Sequence, residues 1–571
     1  MPKEGGVQLT NWIAWIDEDN VYHDGPRTTT HLTIHGRMND GEDGDPEKGT
    51  PLRSVVIDAT DFKAMGWVAK LWGMVPIIYP AAGAERDIAT AMQIMSKPKH
   101  TDIYTHTGWD EIEGKPTYLS TSGGIASEKN VKGITVSLPH ELALYSLPDP
   151  KLATKDSAAA SLRLINLGPK NVMWVLLIAA YRAAIGPSDF SIHLSGKTGT
   201  FKSELASLIQ SHFGVGMDAR HLPASWNSTA NALEALAYKA KDAILVVDDY
   251  VPTGTSWQVR SLAAKADQLL RGQGNQAGRT RLTDTAGVQG SMYPRGIILS
   301  TGEDIPEGHS VRARMMILEL TPGDIEPAKL TAAQGARENY SLAMADWIAW
   351  LGKSDAAERI KGLARQIRDS NIGIGHSRTP AIIGDLVATT VLMSEWLAER
   401  KYFADAVLID LQHKASIAIA ASGENQRAFL QSADPVMAFL GILRQLMATQ
   451  MAHVKTANGG VPEQATQLGW TEQKAIGELS SWRSNGPQLG WVDAEPDEFL
   501  FDPNVLPFVR KHANGQLAVT PQTFVKRLKD SGLLVRVDAT RSRNTVRMTL
   551  EKHPRQVVVL KLSDVLAEES M

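Results

Sequence analysis

Residues 191–210, SIHLS-GKTGTFKS-ELASLIQ, set a glycine-rich turn between an apolar strand and an amphipathic helix. Backbone N–H groups of such a turn point inward, and the start of the next helix adds the positive end of its dipole. The segment is therefore suited to hold a phosphate. Gly196, Lys202 and Ser203 stand at the offsets of the pattern G-x-x-x-x-G-K-[ST], in which the lysine meets the β- and γ-phosphates and the hydroxyl binds Mg²⁺. The backbone of Lys197, Thr198, Gly199, Thr200 and Phe201 is expected to complete the cradle. Phe201 occupies the place of the second glycine. It fits there if its φ is negative, its contribution then being a backbone N–H.

About 45 residues further on comes AILVVDDY. Ile244 to Val247 make a buried strand, with Asp248 and Asp249 at its carboxyl end, the edge at which open α/β sheets bind ligands. Asp248 is expected to hold Mg²⁺ through water, and Asp249 to orient or deprotonate a lytic water. A strand ending in an ordinary polar turn is the alternative. A third strand, GIILS, ends in Thr301-Gly302-Glu303. Thr301, with Ser300 and Glu303 as neighbours, is the candidate sensor of the γ-phosphate. In EGHSVRARMMILEL, Arg312 and Arg314 precede another apolar strand. Arginine supplied by a neighbouring subunit stabilises transition-state charge in ring ATPases, and Arg314 abuts the strand more closely. Two surface arginines at a strand start are the plainer reading. Arg378, in GHSRTPAII, is a candidate to reach the nucleotide from a lid.

Outward from this centre the 571 residues divide by pattern. Residues 1–150 read as mostly strands with short helices and are expected to form a β-rich assembly or loading module. Residues 151–325 alternate helix and strand, the signature of a parallel sheet covered on both faces. Residues 326–455 read as almost wholly helical, a lid or connector. Within 456–571, TPQTFVKRLKDSGLL, VRVDATRSRNTVRMTLE and VVVLKL give helix, hairpin and strand, the order of a winged helix. The expected fold class is multidomain α/β, with a P-loop NTPase core, a β-rich N-terminal module, a helical lid and a C-terminal winged-helix module. The acidic, glycine-rich stretch 38–50 reads as a solvated loop.

Composition excludes several classes. There is no cysteine, which removes disulfides, thiolate zinc sites and cysteine nucleophiles, and fits a reducing cytoplasm. The most apolar run, Val172 to Ala180, is about half the ~20 residues of a bilayer span. It reads as a buried helix, and neither a signal peptide nor a membrane span is expected. With a net charge of −4 the molecule as a whole is not an obvious polyanion binder, so any nucleic-acid surface is local. One candidate is the stretch from Arg510 to Arg555, with an excess of eight positive charges. There Lys526 and Arg527 lie on the helix, and Arg541 and Arg543 at the wing tip. A protein-binding winged helix is the competing reading. The other candidate is GQGNQAGRTRLTDTAGVQGSMYPRG, a loop or hairpin bearing Arg279 and Arg281. It could grip a phosphate backbone, stay solvated or touch a neighbouring subunit.

The set GKTGTFKS, ILVVDDY, GIILSTGE and SVRARMMILEL resembles the helicase-type ATPase domain of phage, plasmid and genomic-island replication proteins. That domain carries a domain-of-unknown-function label and is often joined to a primase. The hairpin HTGWDEIEGKPTYLSTSGG resembles the β-rich module that precedes it, and the likeness spans roughly residues 55–325. It implies an AAA-plus or superfamily-3-like ring, hexameric, acting on DNA with ATP and Mg²⁺. By position it assigns phosphate binding to Lys202 and Ser203, metal and water to Asp248 and Asp249, sensing to Thr301 and the trans arginine to Arg314. Asp249 stands where many relatives have Glu. Residues 1–150 show no primase set of paired acids, and no metal-nuclease pattern stands out. The expected activity is that of an ATP-dependent DNA helicase or translocase, with DNA, further copies of the chain and a primase as partners. An ATP-controlled assembly switch that binds DNA without unwinding it is the alternative, and a small-molecule kinase a third.

Overall fold

The computed structural model describes all residues except 1–6, 42–44, 46–47, 127–128, 132, 278–280, 283–287, 290–291, 371–377, 432–433, 475–479, 494–496, 513–520, 539–542 and 568–571. Two compact units emerge, one of residues 1–305 and 314–423, the other of residues 306–313 and 424–571. The chain is multidomain α/β, with several sheets, one of them fully parallel.

That parallel sheet organises the first unit. Its strands are β1 (Ser191–Gly196), β2 (Ala224–Ser225), β3 (Ile244–Tyr250), β4 (Ile297–Gly302) and β5 (Met315–Leu320), in the order 2-3-4-1-5. All four pairings are parallel. The runs ILVV, IIL and MMIL are buried on both faces, which is why these strands read as continuous apolar stretches and not as alternation. Helix α1 (Lys170–Ala183) is buried from Val172 to its end, in agreement with the core helix expected there. Helix α2 (Lys202–Gln210) follows the glycine-rich turn, and α3 (Ser256–Asn275) carries a Thr255–Gln258 capping box. Between α3 and β4, Arg281–Leu282 pair with Val288–Gln289 as a two-stranded antiparallel ladder.

Upstream, a five-stranded sheet packs Trp12, Ile34, Phe62 and Trp67 into its own core. A meander over residues 108–131 follows. It is tied to the parallel sheet by Tyr118, whose hydroxyl donates to the Asp242 carbonyl at 2.6 Å, while Tyr145 donates to the Ile244 carbonyl at 2.6 Å. Downstream come helices Pro327–Gln334, Arg337–Leu351, α4 (Ala356–Ser370), Thr379–Glu399 and Asp405–Gln431. The predominantly helical character expected for this stretch is met. Thr379–Glu399 is long and apolar enough to cross a membrane by length and composition, but 67% of its apolar window is buried inside the fold.

The second unit gathers a six-stranded sheet around Phe439, Phe499, Phe501 and Phe524. Helix Pro521–Asp530 is followed by strands Leu534–Arg536, Val546–Leu550 and His553–Lys561. Leu534–Arg536 and Val546–Leu550 both pair antiparallel with His553–Lys561, whereas the sequence reading places a hairpin within VRVDATRSRNTVRMTLE. Arg536 donates through Nε to buried Glu498 at 2.5 Å and pairs with it through Nη2 as well.

Candidate functional site

The glycine-rich turn lies at the carboxyl ends of the parallel strands. Gly196 ends β1 with a φ of +156°, and a Cβ there would lie 2.5 Å from the Leu320 carbonyl oxygen and 2.9 Å from Thr200 Oγ1. Thr200 folds the turn on itself, its hydroxyl donating to the Lys197 carbonyl at 2.9 Å. Lys202 Nζ also donates to the Lys197 carbonyl, at 2.9 Å. Burial lowers the Lys202 pKa, and Glu303, Asp248 and Asp249 oppose that shift.

One expectation is overturned. Phe201 has φ +63° and ψ +24°, in the left-handed region. The residue at this place therefore adopts the conformation that glycine supplies without strain, and the aromatic side chain carries the penalty of a Cβ there. The sign of φ is imposed by the turn and not by the residue.

The acidic strand end gathers side chains from three elements. Ser203 donates to Asp248 Oδ1 at 2.8 Å, and Thr301 also donates to Asp248 Oδ1. The Asp249 N–H donates to Thr301 Oγ1 at 3.2 Å. Thus the start of α2, the end of β3 and the end of β4 meet at one carboxylate. The β3–β4 register slips between Val247 and Tyr250, and Asp249 has φ +69°. The resulting bulge turns Asp249 outward, exposed, while Asp248 stays half-buried. Aspartate tolerates this conformation better than most residues.

Beneath Thr301, Ser300 Oγ accepts from Trp226 Nε1 at 2.9 Å and bonds His193 Nδ1 at 3.0 Å, with His193 Nε2 on the Asp304 carbonyl at 2.9 Å. This buried layer fixes the β4 tip. Glu303, which the sequence offers only as a neighbour of Thr301, bonds the Thr198 hydroxyl across the turn. Its place two residues past Thr301, at the same strand end, was the available signal. Gln334 was not foreseen. It donates to Glu204 Oε2 at 2.8 Å, tying the helical segment to α2. A cavity of about 290 Å³ is lined by the turn, by Asp248 and Asp249, and by Thr301 to Glu303.

The remaining candidates lie elsewhere. Arg314 precedes β5 at the other end of the sheet, its stem against Gly274 and its guanidinium on Asn275 Oδ1 at 2.9 and 3.2 Å. Burial, then Arg378 and Arg271, lower its pKa. Arg378 donates to the Gly274 carbonyl at 3.1 Å. It joins Arg314 and does not reach the cavity of Lys202. Arg312 belongs to the second unit and donates to the carbonyls of Pro306 and Phe429 at 3.1 Å each. Lys526 and Arg527 lie on helix Pro521–Asp530, and Arg543 forms a backbone bridge with Asp538. Arg281 lies in the described two-stranded ladder, whereas Arg279 and Arg541 fall outside the described residues.

Residues 168–282 match the family model described as a domain of unknown function, DUF927. No curated protein matches the chain. A solved structure described as "SCCmec type IV Cch - active helicase" is similar over 98% of this chain and 95% of its own, with a TM-score of 0.52 and 13% identity. The apo structure of the NrS-1 C-terminal region aligns over 82% of this chain and 96% of its own, with a TM-score of 0.26 and 11% identity. The chain thus shares its overall fold with a helicase-like protein, and its residues 168–282 match a domain family.

Proposed function

We propose that the chain is a P-loop ATPase that drives a DNA helicase or translocase in the replication of a mobile element or phage. The observation that carries this reading is the meeting of Ser203, Asp248 and Thr301 beside Lys202. A phosphate-binding turn, a carboxylate at a strand end and a hydroxyl at the next strand end are what triphosphate hydrolysis requires in one place.

In this reading the backbone from Gly196 to Phe201 cradles the phosphates and Lys202 contacts the β- and γ-phosphates. Ser203 and Asp248 are hard oxygen donors within 2.8 Å of each other, a set that fits Mg²⁺. Bound there with ATP, Mg²⁺ supplies neutralisation of phosphate charge. Asp249 orients the attacking water, and Thr301 reports the γ-phosphate to β4. Arg314, with Arg378 beside it, sits at the sheet end away from its own turn. That supports action on the nucleotide of a neighbouring copy, in a ring of the hexameric type. Residues 1–150 serve assembly, 151–325 the ATPase core, 326–455 a lid and 456–571 a winged-helix DNA-binding module, all in the cytoplasm. Arg279, Arg281, Lys526, Arg527, Arg541 and Arg543 contact DNA, and a primase acts alongside.

The test is steady-state ATP hydrolysis with and without forked DNA, for wild type and Lys202→Ala. DNA stimulation that vanishes in the variant supports the motor. Hydrolysis indifferent to DNA refutes it and favours the ATP-controlled assembly switch.

A further inference from the structure

At the end of the parallel sheet away from the glycine-rich turn, three strands begin. Ser188 and Asp189 precede β1, Asp242 precedes β3, and Tyr293 to Arg295 precede β4. Strands of six or seven residues put this edge roughly 20 Å from the Lys202 cavity. Two cavities open here, each of about 510 Å³, and they share Pro187, Ser188 and Gln276.

One is aromatic, with Tyr238, Tyr293, Pro26 and Pro294 in its wall. Arg295 lies over the Tyr238 ring, 3.7 Å from its centroid, and donates to the carbonyls of Tyr238 and Asp24 at 2.7 and 3.0 Å. Asp242 is 1% exposed, and one of its carboxylate oxygens accepts the Trp109 N–H at 3.0 Å. Its other oxygen, Nη2 of Arg295 and Oγ of Ser188, which is 4% exposed, have no hydrogen-bond partner among the described residues. Buried polar atoms are rarely left so. Three in residues lining one cavity point to a ligand that brings both donors and acceptors.

The adjoining cavity is basic. Lys361, Arg365 and Arg368 recur along α4 at helical spacing, with Arg182 deeper. Like charges so spaced repel. The acids nearby do not relieve this. Asp385 is taken by Arg182 at 2.8 Å, and Arg368 pairs with its neighbour Asp369 at 2.6 Å. Asp189 is exposed at the rim. Lys361 and Arg365 have no ion pair among the described residues.

We propose that the two adjoining cavities bind one nucleotide unit, its base against Tyr293 and its phosphate on Lys361 and Arg365. The polar edge of the base would meet Asp242, Arg295 and Ser188. An aromatic platform beside a basic track is how single strands are held. A strand as the source rests on the motor reading above; a free mononucleotide does not.

The test uses full-length protein carrying Lys202→Ala, which removes the ammonium of the phosphate-binding turn and is the common background for every variant. The probes are a fluorescein-labelled single-stranded 12-mer, an abasic strand of the same length, and dAMP. Tyr293→Ala is expected to weaken the base-bearing strand about tenfold and to leave the abasic strand unchanged. Lys361→Ala with Arg365→Ala, both at exposed positions, is expected to weaken both strands. It should also reduce the slope of log affinity against log salt by about 0.7, the value for the one phosphate the pair holds. Binding of dAMP that is lost in both variants, with strands unaffected, supports the site with a free nucleotide as its ligand. Unchanged binding of all three probes overturns the proposal. The motor reading fails separately, through wild-type hydrolysis that ignores DNA.

Discussion

Replacing Phe201 by glycine and by alanine separates two terms that oppose each other at one residue. With φ +63° and ψ +24°, any Cβ there costs about 1–2 kcal/mol that glycine avoids. The ring is 37% exposed, so its burial contributes roughly 1–2 kcal/mol, about two thirds of what a fully buried Phe supplies. Phe201→Ala loses the burial and keeps the strain, and is expected to destabilise by about 1–2 kcal/mol. Phe201→Gly loses the burial and releases the strain, and is expected to lie within about 1 kcal/mol of wild type. Glycine should therefore exceed alanine by about 1–2 kcal/mol. At a helical φ the order reverses by about 0.5–1 kcal/mol. Differential scanning calorimetry of the full chain reads the difference as a transition about 1–4 °C higher for the glycine variant. An alanine variant equal to or above the glycine variant would refute a left-handed Phe201.

Three further outcomes follow from the same site and its support. Gly196→Ala would drive a Cβ to 2.5 Å from the Leu320 carbonyl oxygen, and should lower stability by more than about 2 kcal/mol, read by urea unfolding. Thr301→Val keeps the shape of the side chain but removes the donor to Asp248 and the acceptor for the Asp249 N–H. A stability loss of about 2 kcal/mol, together with ATP hydrolysis reduced at least tenfold, is expected. Unchanged turnover would remove Thr301 from the site. His212 is fully buried between Ser161 and the Ile209 carbonyl, and burial lowers its pKa to about 4. Because the unfolded chain binds this proton more readily, near pH 6.5, the stability is fully present above pH 6.5 and is lost as pH falls towards 4, by about 3 kcal/mol. His212→Gln should flatten that slope in unfolding measured from pH 7 to 4.

Much of this was legible because the relevant signals are local. Strand, turn and helix around Gly196 follow from an apolar run, glycines and an amphipathic period within twenty residues. The placing of Asp248 and Thr301 follows from strand ends of the same kind. The φ of Phe201 was not legible, because the turn closed by Thr200 on Lys197 sets it, whatever side chain stands there. Arg378 was misplaced for a related reason. A helical segment far along the chain can return to either end of a sheet, and only the contact with Gly274 decides which. The cavity of Asp242 and Arg295 joins residues from Gly25 to Arg295, a separation over which pattern carries no signal. Near the C-terminus the helix was readable from its period, but which strands pair was not, because pairing partners lie outside any local pattern.

The short helix His309–Arg312 belongs with the second unit, although the chain on either side of 306–313 belongs to the first. Arg312 and Gln426 bond each other's stretch: Gln426 donates to the Arg312 carbonyl at 3.0 Å. The second unit is therefore no bead on a string. A truncation after Gly423 would strip helix His309–Arg312 of its bed and leave a frayed splice between Thr301 and Arg314, the connection that joins β4 to β5. A protease nicking this splice would cut between those two residues while sparing every β-strand, and recombination could exchange the C-terminal module only by carrying these eight residues with it.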